Sequence, residues 1–279
     1  MSKLLISPNS EGSKIHNITP ENANWFYVGF DVYDLSEGEE ITGGSKEREF
    51  CIVLLSGSAF FSTSKKNFGL KKGRKSVFDK IPPIAMYIPI GESWKIIAKD
   101  KSEIAVCSAP SKEGKYQSKI ISSQDMSKET RGKGSNKRFI RNILPEDKEA
   151  ESLLVVEVIT PSGNWSSYPP HKHDTDNLPF ESQLEETYYH RINPEQGYVV
   201  QRVYNDNKTL DENISAKDRS VVLVPEGYHP VGVPHGYKSY YLNVMAGPKR
   251  IWKFHNDPDH EWITETLSLI HISEPTRPY

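Results

Sequence analysis

The chain has 279 residues, with 35 basic against 37 acidic side chains and a hydrophobic fraction of 36%. That length suits one large domain or two of ordinary size. The balanced charge gives no electrostatic basis for binding nucleic acid or an anionic membrane, and no apolar run is long enough to span a bilayer. Cys51 and Cys107 are too few for a disulfide framework, and the first 16 residues lack the apolar stretch expected of a signal peptide. We therefore expect buried thiols and a cytoplasmic protein.

The first part of the chain is predicted to form short strands. Apolar and aromatic runs alternate with turn-forming residues, a pattern typical of a β-sandwich or β-barrel. The runs occupy residues 25–34, 50–56, 59–64, 85–90, 94–99 and 103–110. We predict an N-terminal barrel over residues 1–110.

Residues 111–137 differ from what precedes them, because they are polar, rich in lysine and arginine, and show little periodicity. Such a composition indicates a solvated linker between two domains. An alternative is that Arg131 and Lys133 reach across to hold the carboxylate of a substrate.

A second series of strand-like runs follows the polar segment. The runs occupy residues 138–144, 153–161, 187–192, 198–205, 220–225 and 240–247. They predict a second barrel over residues 138–267, so the fold class is all-β with two small barrels in tandem. Residues 268–279 resemble a translated cloning adapter, and we expect this tail, with His271, to be non-native.

Histidines are concentrated in the second series, where eight of the nine follow residue 170. His171 and His173 are separated by one residue, so a strand would place both imidazoles on one face. Two rings on one face can share a metal ion. The later turn Pro225-Glu226-Gly227-Tyr228-His229 would return a third imidazole at the mouth of the barrel.

A carboxylate completes this predicted metal site. Glu186 begins the next strand-like run and shares a face with Tyr188 and His190, whereas Glu185 points the other way. We therefore prefer Glu186 to Glu185 as a ligand. Three imidazoles and one carboxylate suit Zn²⁺ or Mn²⁺, with Fe²⁺, Co²⁺ and Ni²⁺ as alternatives, and leave coordination positions for substrate or water.

The order H-x-H, Glu, P-x-G-x-H and then Asn243 resembles the two motifs of the cupin superfamily. The longer strings GNWSSYPPHKHD, LEETYYHRINPEQGYVVQRVY, LVPEGYHPV and YYLNVMAGPKRIW are similar to the 5-deoxy-glucuronate isomerase family of myo-inositol catabolism. The resemblance covers residues 5–265. It implies a bicupin of jelly-roll type, with an N-terminal barrel that lacks a metal and a C-terminal barrel that holds one through His171, His173, Glu186 and His229.

The resemblance also implies a reaction, the conversion of 5-deoxy-glucuronate to 2-deoxy-5-keto-gluconate. A divalent metal would polarise the carbonyl and the neighbouring hydroxyl and stabilise an enediolate, while a general base moves a proton between adjacent carbons. Tyr188 and His190 share the inward face with Glu186 and are the candidate catalytic residues. For His190, packing is the alternative.

Four further residues are expected to bind the sugar acid, namely Arg202, Tyr204, Tyr228 and Asn243. Arg202 could pair with the substrate carboxylate through its two-pronged guanidinium, or form a salt bridge within the barrel. The tyrosines could instead belong to the core. The segment around His255 and His260 resembles the family's C-terminal signature and could close the site.

Two other functions remain open at this stage. One is an Fe(II)-dependent cupin dioxygenase, which would use the same ligands. The other is a non-catalytic sugar-acid-binding cupin, because a fold does not determine a function. The expected partner in each case is a small sugar acid. A homo-oligomer is a further alternative, because exposed barrel edges often pair.

Overall fold

The computed structural model describes residues 2–264, and these are mainly β-strands. The first half contains β1 (Leu5–Ile6), β2 (Lys14–Ile18), β3 (Gly29–Leu35), β4 (Glu40–Gly44), β5 (Arg48–Ser56), β6 (Ser58–Thr63), β7 (Asn67–Lys72), β8 (Ile84–Ile88), β9 (Ser93–Ala98) and β10 (Ser102–Pro110), with a single short α-helix in this half, α1 (Pro20–Ala23). The predicted tail 268–279 lies outside the described residues.

The second half contains β11 (Lys119–Ile121), β12 (Ser127–Arg131), β13 (Arg138–Leu144), β14 (Leu154–Thr160), β15 (Trp165–Ser166), β16 (His171–Lys172), β17 (Asp174–Asn177), β18 (Glu181–Gln183), β19 (Glu185–Asn193), β20 (Tyr198–Tyr204), β21 (Asp211–Lys217), β22 (Val221–Val224), β23 (Val231–Gly232), β24 (Lys238–Ala246) and β25 (His255–Asn256). Two short 3-10 turns cover Gly134–Asn136 and Pro258–His260. The prediction of an all-β chain is confirmed. None of the helices in residues 2–264 has the length and apolar character needed to cross a membrane.

The N-terminal barrel is built from two antiparallel sheets. One has the strand order β11-β8-β5-β10-β3-β2, and the other has the order β4-β9-β6-β7. Alternate residues of β5 and β10 face the opposite sheet. Those of β5, Ile52 and Leu54, belong to one apolar cluster with Phe61, Trp94 and Ile96 of the opposite sheet. Apolar side chains therefore fill this interior.

The C-terminal barrel repeats this plan with a different interior. Its large sheet has the order β1-β22-β19-β24-β14-β13-β12, and its smaller sheet has the order β15-β23-β20-β21. Two ribbons, β16-β25 and β17-β18, cover one end. The apolar cluster between the sheets includes Val156, Val199, Val203, Val231 and Met245. Polar side chains occupy the end of the barrel beneath the ribbons, as described below.

The two large sheets pack face to face, and one apolar cluster contains residues of both, among them Val53, Cys107, Tyr189 and Leu242. Cys51 and Cys107 are buried free thiols that face each other across β5 and β10. Burial raises the pKa of both thiols, so they act as small apolar side chains, as predicted.

A reciprocal pair of carboxylates joins the barrels. Glu185, at the start of β19, accepts hydrogen bonds from the backbone N–H groups of Phe26, Tyr27 and Val28 at 2.6, 2.7 and 3.0 Å. Glu49, near the start of β5, accepts from the N–H groups of residues 151–153 at 2.9, 2.7 and 2.8 Å. Each barrel thus supplies one buried carboxylate that fixes a loop of the other.

Residues 111–137, predicted as a polar linker, contribute an edge strand to each barrel. β11 pairs with β8 in the N-terminal barrel, and β12 pairs with β13 in the C-terminal barrel. In return, β1 pairs with β22 of the C-terminal barrel. β12 has no fully buried residue, which is why its sequence shows no apolar alternation.

Candidate metal centre

Three imidazoles converge at the end of the C-terminal barrel. His171 belongs to β16, His173 follows it, and His229 lies in the turn between β22 and β23. Their candidate ligand nitrogens all lie within 4.8 Å of one another. The carboxylate of Glu186 in β19 approaches the same point, with one oxygen 3.2 Å from Nε2 of His173 and 3.2 Å from Nε2 of His229. The four predicted ligands therefore come together.

Backbone carbonyls orient two of these imidazoles. Nδ1 of His229 lies 2.8 Å from the carbonyl oxygen of Gly227, and Nδ1 of His173 lies 3.1 Å from that of Leu184. With Nδ1–H as the donor, each ring directs the lone pair of Nε2 toward the common point, the arrangement that metal-binding histidines usually adopt. Gly227 has φ +86°, and a Cβ there would lie 2.4 Å from the carbonyl oxygen of Tyr204. The turn therefore requires glycine.

Burial and mutual contact shift the pKa values of His171, His173 and Glu186. Burial, followed by the neighbouring His229 and His173, lowers the pKa of His171 well below its ordinary value, which favours the neutral ring. Burial alone would raise the pKa of Glu186, but contacts with His173 and His229 lower it to about 2. Nε2 of His229 is buried and makes no well-formed hydrogen bond. Burial alone would lower the pKa of His173, but its contact with Glu186 raises it, so a cation could replace a proton held between these two groups. Three imidazoles and one carboxylate form a donor set for Zn²⁺, Mn²⁺ or a similar ion.

The neighbouring carboxylates Glu185 and Glu186 face opposite sides of β19, as their alternation predicts. Glu185 points to the N-terminal barrel and Glu186 to the imidazoles. The long spacing between His173 and Glu186 is taken up by the β17-β18 ribbon. Asp174 of that ribbon accepts a hydrogen bond from the N–H of Gly227 at 2.7 Å, which ties the ribbon to the turn that carries His229.

The structure places the two predicted catalytic residues at different depths. A small recess beside the cluster is lined by Glu186, His171, Ser167, Tyr188, Tyr241, Asn243, Arg131, Arg138, Trp252 and three apolar residues. The hydroxyl of Tyr188 lies 2.9 Å from Oγ of Ser167 in this recess. His190 is fully buried behind Tyr188, with ring centroids 6.0 Å apart and with Nε2 2.9 Å from Oε1 of Gln201. Burial lowers the pKa of His190 to about 4, so the ring is neutral near pH 7. The structure brings Tyr188, but not His190, to the recess.

The four predicted substrate-binding residues also separate. Asn243 lines the recess, where its amide donates to the carbonyl of Thr187 at 3.3 Å. The other three have partners elsewhere and line neither the recess nor the cavity described next. Arg202 pairs with Asp211 through two bonds of 2.7 Å, the hydroxyl of Tyr204 donates to Asp257, and that of Tyr228 donates to Asp206. The buried residues of β20 are Val199, Gln201, Val203 and the terminal Tyr204, and the first three share one face, so alternation turns Arg202 outward.

A cavity of about 680 Å³ opens above the imidazoles, and His171 lines both this cavity and the recess. Phe254, beside β25, packs its ring 4.7 Å from that of His171, and Asn256 of β25 also lines the cavity. The segment around His255 thus covers the site, although His255 itself is exposed. Among the remaining lining residues, the sequence pointed to Arg131 and Lys133 as an alternative for holding a substrate carboxylate. The others are Thr130, Gly132, Asn136, Arg138, Tyr168, Pro169 and Thr264.

Comparisons with known proteins agree with this architecture. Residues 4–263 match the KduI/IolB family. A 5-deoxy-glucuronate isomerase of Geobacillus kaustophilus is 53% identical over 269 residues, which cover 95% of this chain and 97% of the relative. The 5-deoxy-glucuronate isomerase of Bacillus subtilis strain 168 is 51% identical over 271 residues, which cover 95% of this chain and all of the relative.

Solved structures extend the comparison to the fold. The crystal structure of an IolB-like protein from Salmonella typhimurium LT2 matches with a TM-score of 0.92 and 48% identity, covering 94% of this chain and all of that one. An oxalate decarboxylase from Lactobacillus farciminis matches with a TM-score of 0.62 at 14% identity, covering 98% of this chain and 95% of that one. At that identity the second likeness shows the two-barrel fold alone. By its sequence match and its fold, the chain belongs to the KduI/IolB family.

Proposed function

We propose that this protein is a metal-dependent aldose–ketose isomerase that converts 5-deoxy-glucuronate to 2-deoxy-5-keto-gluconate, a step of inositol catabolism. One observation carries the proposal: the cluster of His171, His173, Glu186 and His229 lies beneath an open cavity in a chain about half identical to relatives named 5-deoxy-glucuronate isomerase. The same four side chains are the ligands we propose.

Each ligand is suited to its role before any ion binds. His173 and His229 are held by backbone carbonyls, and Glu186 is ionised and buried between them. When bound, a divalent ion would supply Lewis-acid polarisation of the aldehyde and the adjacent hydroxyl. His171 faces the cavity, so the substrate would approach from its side of the cluster.

Tyr188 is the proposed proton donor to the reacting oxygens. Burial, together with the charge of Glu186, raises the pKa of its phenol, so the hydroxyl stays protonated near neutral pH. That hydroxyl meets Ser167 at the recess, where a hydrogen-bond donor would stabilise negative charge that develops on oxygen. His190 packs behind Tyr188 with its ring stacked on the phenol, where it would hold that ring in position.

Metal analysis joined to an NMR assay tests this proposal. The purified protein should contain about one divalent ion per chain and convert 5-deoxy-glucuronate under nitrogen. Chelation should abolish turnover, and addition of Zn²⁺, Mn²⁺, Fe²⁺, Co²⁺ or Ni²⁺ in turn should identify the metals that restore it. The His171→Ala variant should lose both metal and turnover. Consumption of O₂ in place of anaerobic conversion would favour a dioxygenase. Sugar-acid binding without turnover, unchanged in His171→Ala, would favour a binding protein.

A further inference from the structure

Two arginines stand side by side at the mouth of the cavity. Arg131 ends β12, Arg138 begins β13, and the two residues are direct partners in the antiparallel register. Both line the cavity and the recess. Lys133, which lies between them in the sequence, also lines the cavity. Like charges directly opposite each other destabilise a β-ladder. This pair therefore calls for a compensating anion.

Arg138 has no such anion in residues 2–264. Its Nη1 donates to the carbonyl oxygens of Asn136 at 3.1 Å and Tyr168 at 3.2 Å, and no described carboxylate forms an ion pair with it. Burial lowers its pKa, which is the direction expected for a desolvated cation without a counter-ion. By contrast, the charge of Arg141, three residues along the same strand, is compensated by an ion pair with Glu157 at 2.8 Å.

The charge of Arg131 is only partly neutralised by a neighbouring carboxylate. Its Nε donates to Glu129 at 2.9 Å, and its guanidinium lies 5.3 Å from the ring centroid of Trp252. The pair with Glu129 is partly exposed, so it is weak. Glu129 does not line the cavity, whereas Arg131, Lys133 and Arg138 do. The mouth of the cavity is thus positively charged.

The connecting loop holds Arg138 in place. Gly132 has φ +72°, and a Cβ there would lie 2.1 Å from the carbonyl oxygen of Asn136 and 2.9 Å from Nη1 of Arg138. Only glycine lets the chain turn this tightly from β12 into the 3-10 turn. The same Asn136 carbonyl receives the hydrogen bond from Arg138. The guanidinium is therefore fixed in the wall, and its Nε and Nη2 make no hydrogen bond to residues 2–264.

We propose that Arg138, supported by Arg131 and Lys133, is the carboxylate-binding subsite that selects an open-chain sugar acid over a neutral sugar. A guanidinium presents paired donors that match the two oxygens of a carboxylate. In 5-deoxy-glucuronate the carboxylate and the aldehyde lie at opposite ends of the chain. Anchoring the acid at the mouth would direct the aldehyde toward His171, which lines the same cavity. This inference rests on the proposed function in taking a uronic acid as the substrate.

Steady-state kinetics of Arg138→Gln, on metal-loaded protein, tests the subsite. Loss of a hydrogen bond to a charged group should raise KM for 5-deoxy-glucuronate by about tenfold to a hundredfold. The metal content should stay unchanged, as should kcat/KM for the uncharged analogue 5-deoxy-glucose, which lacks the acid. Arg138→Lys, which keeps the charge but not the paired donors, should fall between. Lys128→Gln is the matched control, because Lys128 is exposed on β12 and does not line the cavity.

Calorimetry separates this inference from the isomerase proposal. Gluconate, an open-chain sugar acid, should bind the metal-loaded wild type more tightly than sorbitol, its neutral counterpart, and Arg138→Gln should remove that difference. If Arg138→Gln removes the preference for gluconate while the wild type fails to isomerise 5-deoxy-glucuronate, the subsite is supported and the isomerase proposal is wrong. If the wild type turns over and folded Arg138→Gln and Arg138→Lys keep its KM and its preference for gluconate, the subsite is wrong.

Discussion

Replacing Glu185 by glutamine should separate the packing of the two barrels from the chemistry of the metal centre. The carboxylate of Glu185 receives three N–H groups from Phe26, Tyr27 and Val28 of the other barrel, and it is 7% exposed. Its neighbour Glu186 faces the imidazoles instead. One strand thus offers two adjacent carboxylates with unrelated roles.

The size of the effect follows from the geometry. Oε1 of Glu185 accepts one N–H group and Oε2 accepts two. Glutamine keeps one oxygen and turns an amide donor toward the remaining N–H, which leaves at least one buried donor unpaired. Hydrogen bonds to charged groups contribute about 1.5–3 kcal/mol each, and an unpaired buried donor costs about 1–3 kcal/mol. We expect Glu185→Gln to lower the free energy of unfolding by about 3 kcal/mol.

Urea unfolding in the presence of a chelator measures this loss without any contribution from metal. Because the three bonds join the barrels, the transition of Glu185→Gln should also broaden, as each barrel begins to unfold separately. The matched control is Glu186→Gln, which removes a charge at the next position. It should also be destabilised in chelator, because the low pKa of Glu186 stabilises the fold near neutral pH, but Glu186→Gln alone should lose the stabilisation that added metal gives the wild type.

Two results would contradict this reasoning. The first is a Glu185→Gln protein that unfolds like the wild type, which would mean that the three N–H groups find other partners at no cost. The second is a Glu185→Gln protein that folds but binds no metal, which would mean that the two faces of β19 are not independent.

Three other predictions concern the site. The Tyr188→Phe variant should keep its metal but lose about 10²–10⁴-fold in kcat, measured by NMR, and unchanged turnover would remove Tyr188 from the proton transfer. Saturating divalent metal should raise the free energy of unfolding by about 4 kcal/mol at a thousandfold excess over Kd, and His229→Ala should abolish this gain. Burial lowers the pKa of His190 from 6.5 to about 4. The unfolded chain therefore takes up the proton first, and stability falls as the pH drops from 6.5 to 4. In chelator, His190→Gln should escape up to about 3 kcal/mol of that loss, and an unchanged pH profile would contradict the buried neutral ring.

The strands with one buried face could be predicted from sequence, and several edge strands could not. β13 spans the predicted residues 138–144, because its apolar side chains pack into the barrel. β12 and β21 were not predicted. β12 has no fully buried residue, and β21 has two, Ile214 and Ala216. An edge strand receives its conformation from the neighbour it pairs with, so its own side chains carry little periodic signal.

In the site, too, features that depend on one strand could be predicted from sequence, and features that depend on distant segments could not. Alternation within β19 correctly separated Glu185 from Glu186. In β20 it correctly grouped Arg202 with Tyr204, whose ring centroid lies 4.2 Å from the guanidinium. It did not establish which face was inward. The apolar Val199 and Val203 carried that signal, since they belong to the opposite face and are fully buried.

The cationic mouth of the cavity could be suspected but not located. The positive charge of Arg131 and Lys133 indicates from sequence that they could hold a substrate carboxylate, whereas the sequence pattern places Arg138 only at the start of a strand. The strand β12 and the register that places Arg131 opposite Arg138 depend on pairing within the folded sheet. Such long-range pairing leaves no local pattern in the sequence.

Comparison of the two barrels shows why the polar cluster is not needed for the fold. In the N-terminal barrel, Phe50 follows the interdomain carboxylate Glu49, just as Glu186 follows Glu185 in the C-terminal barrel. Phe50 packs 5.9 Å from the ring of Trp94, in an interior filled by apolar side chains. A barrel of this plan is thus stable with an aromatic ring where the other buries a carboxylate. Burying an ionised carboxylate requires neighbours that compensate its charge, and in the C-terminal barrel His173 and His229 do so, because they lower the pKa of Glu186. The barrel plan therefore does not require Glu186 and its histidines, which supports the proposal that they bind a cation.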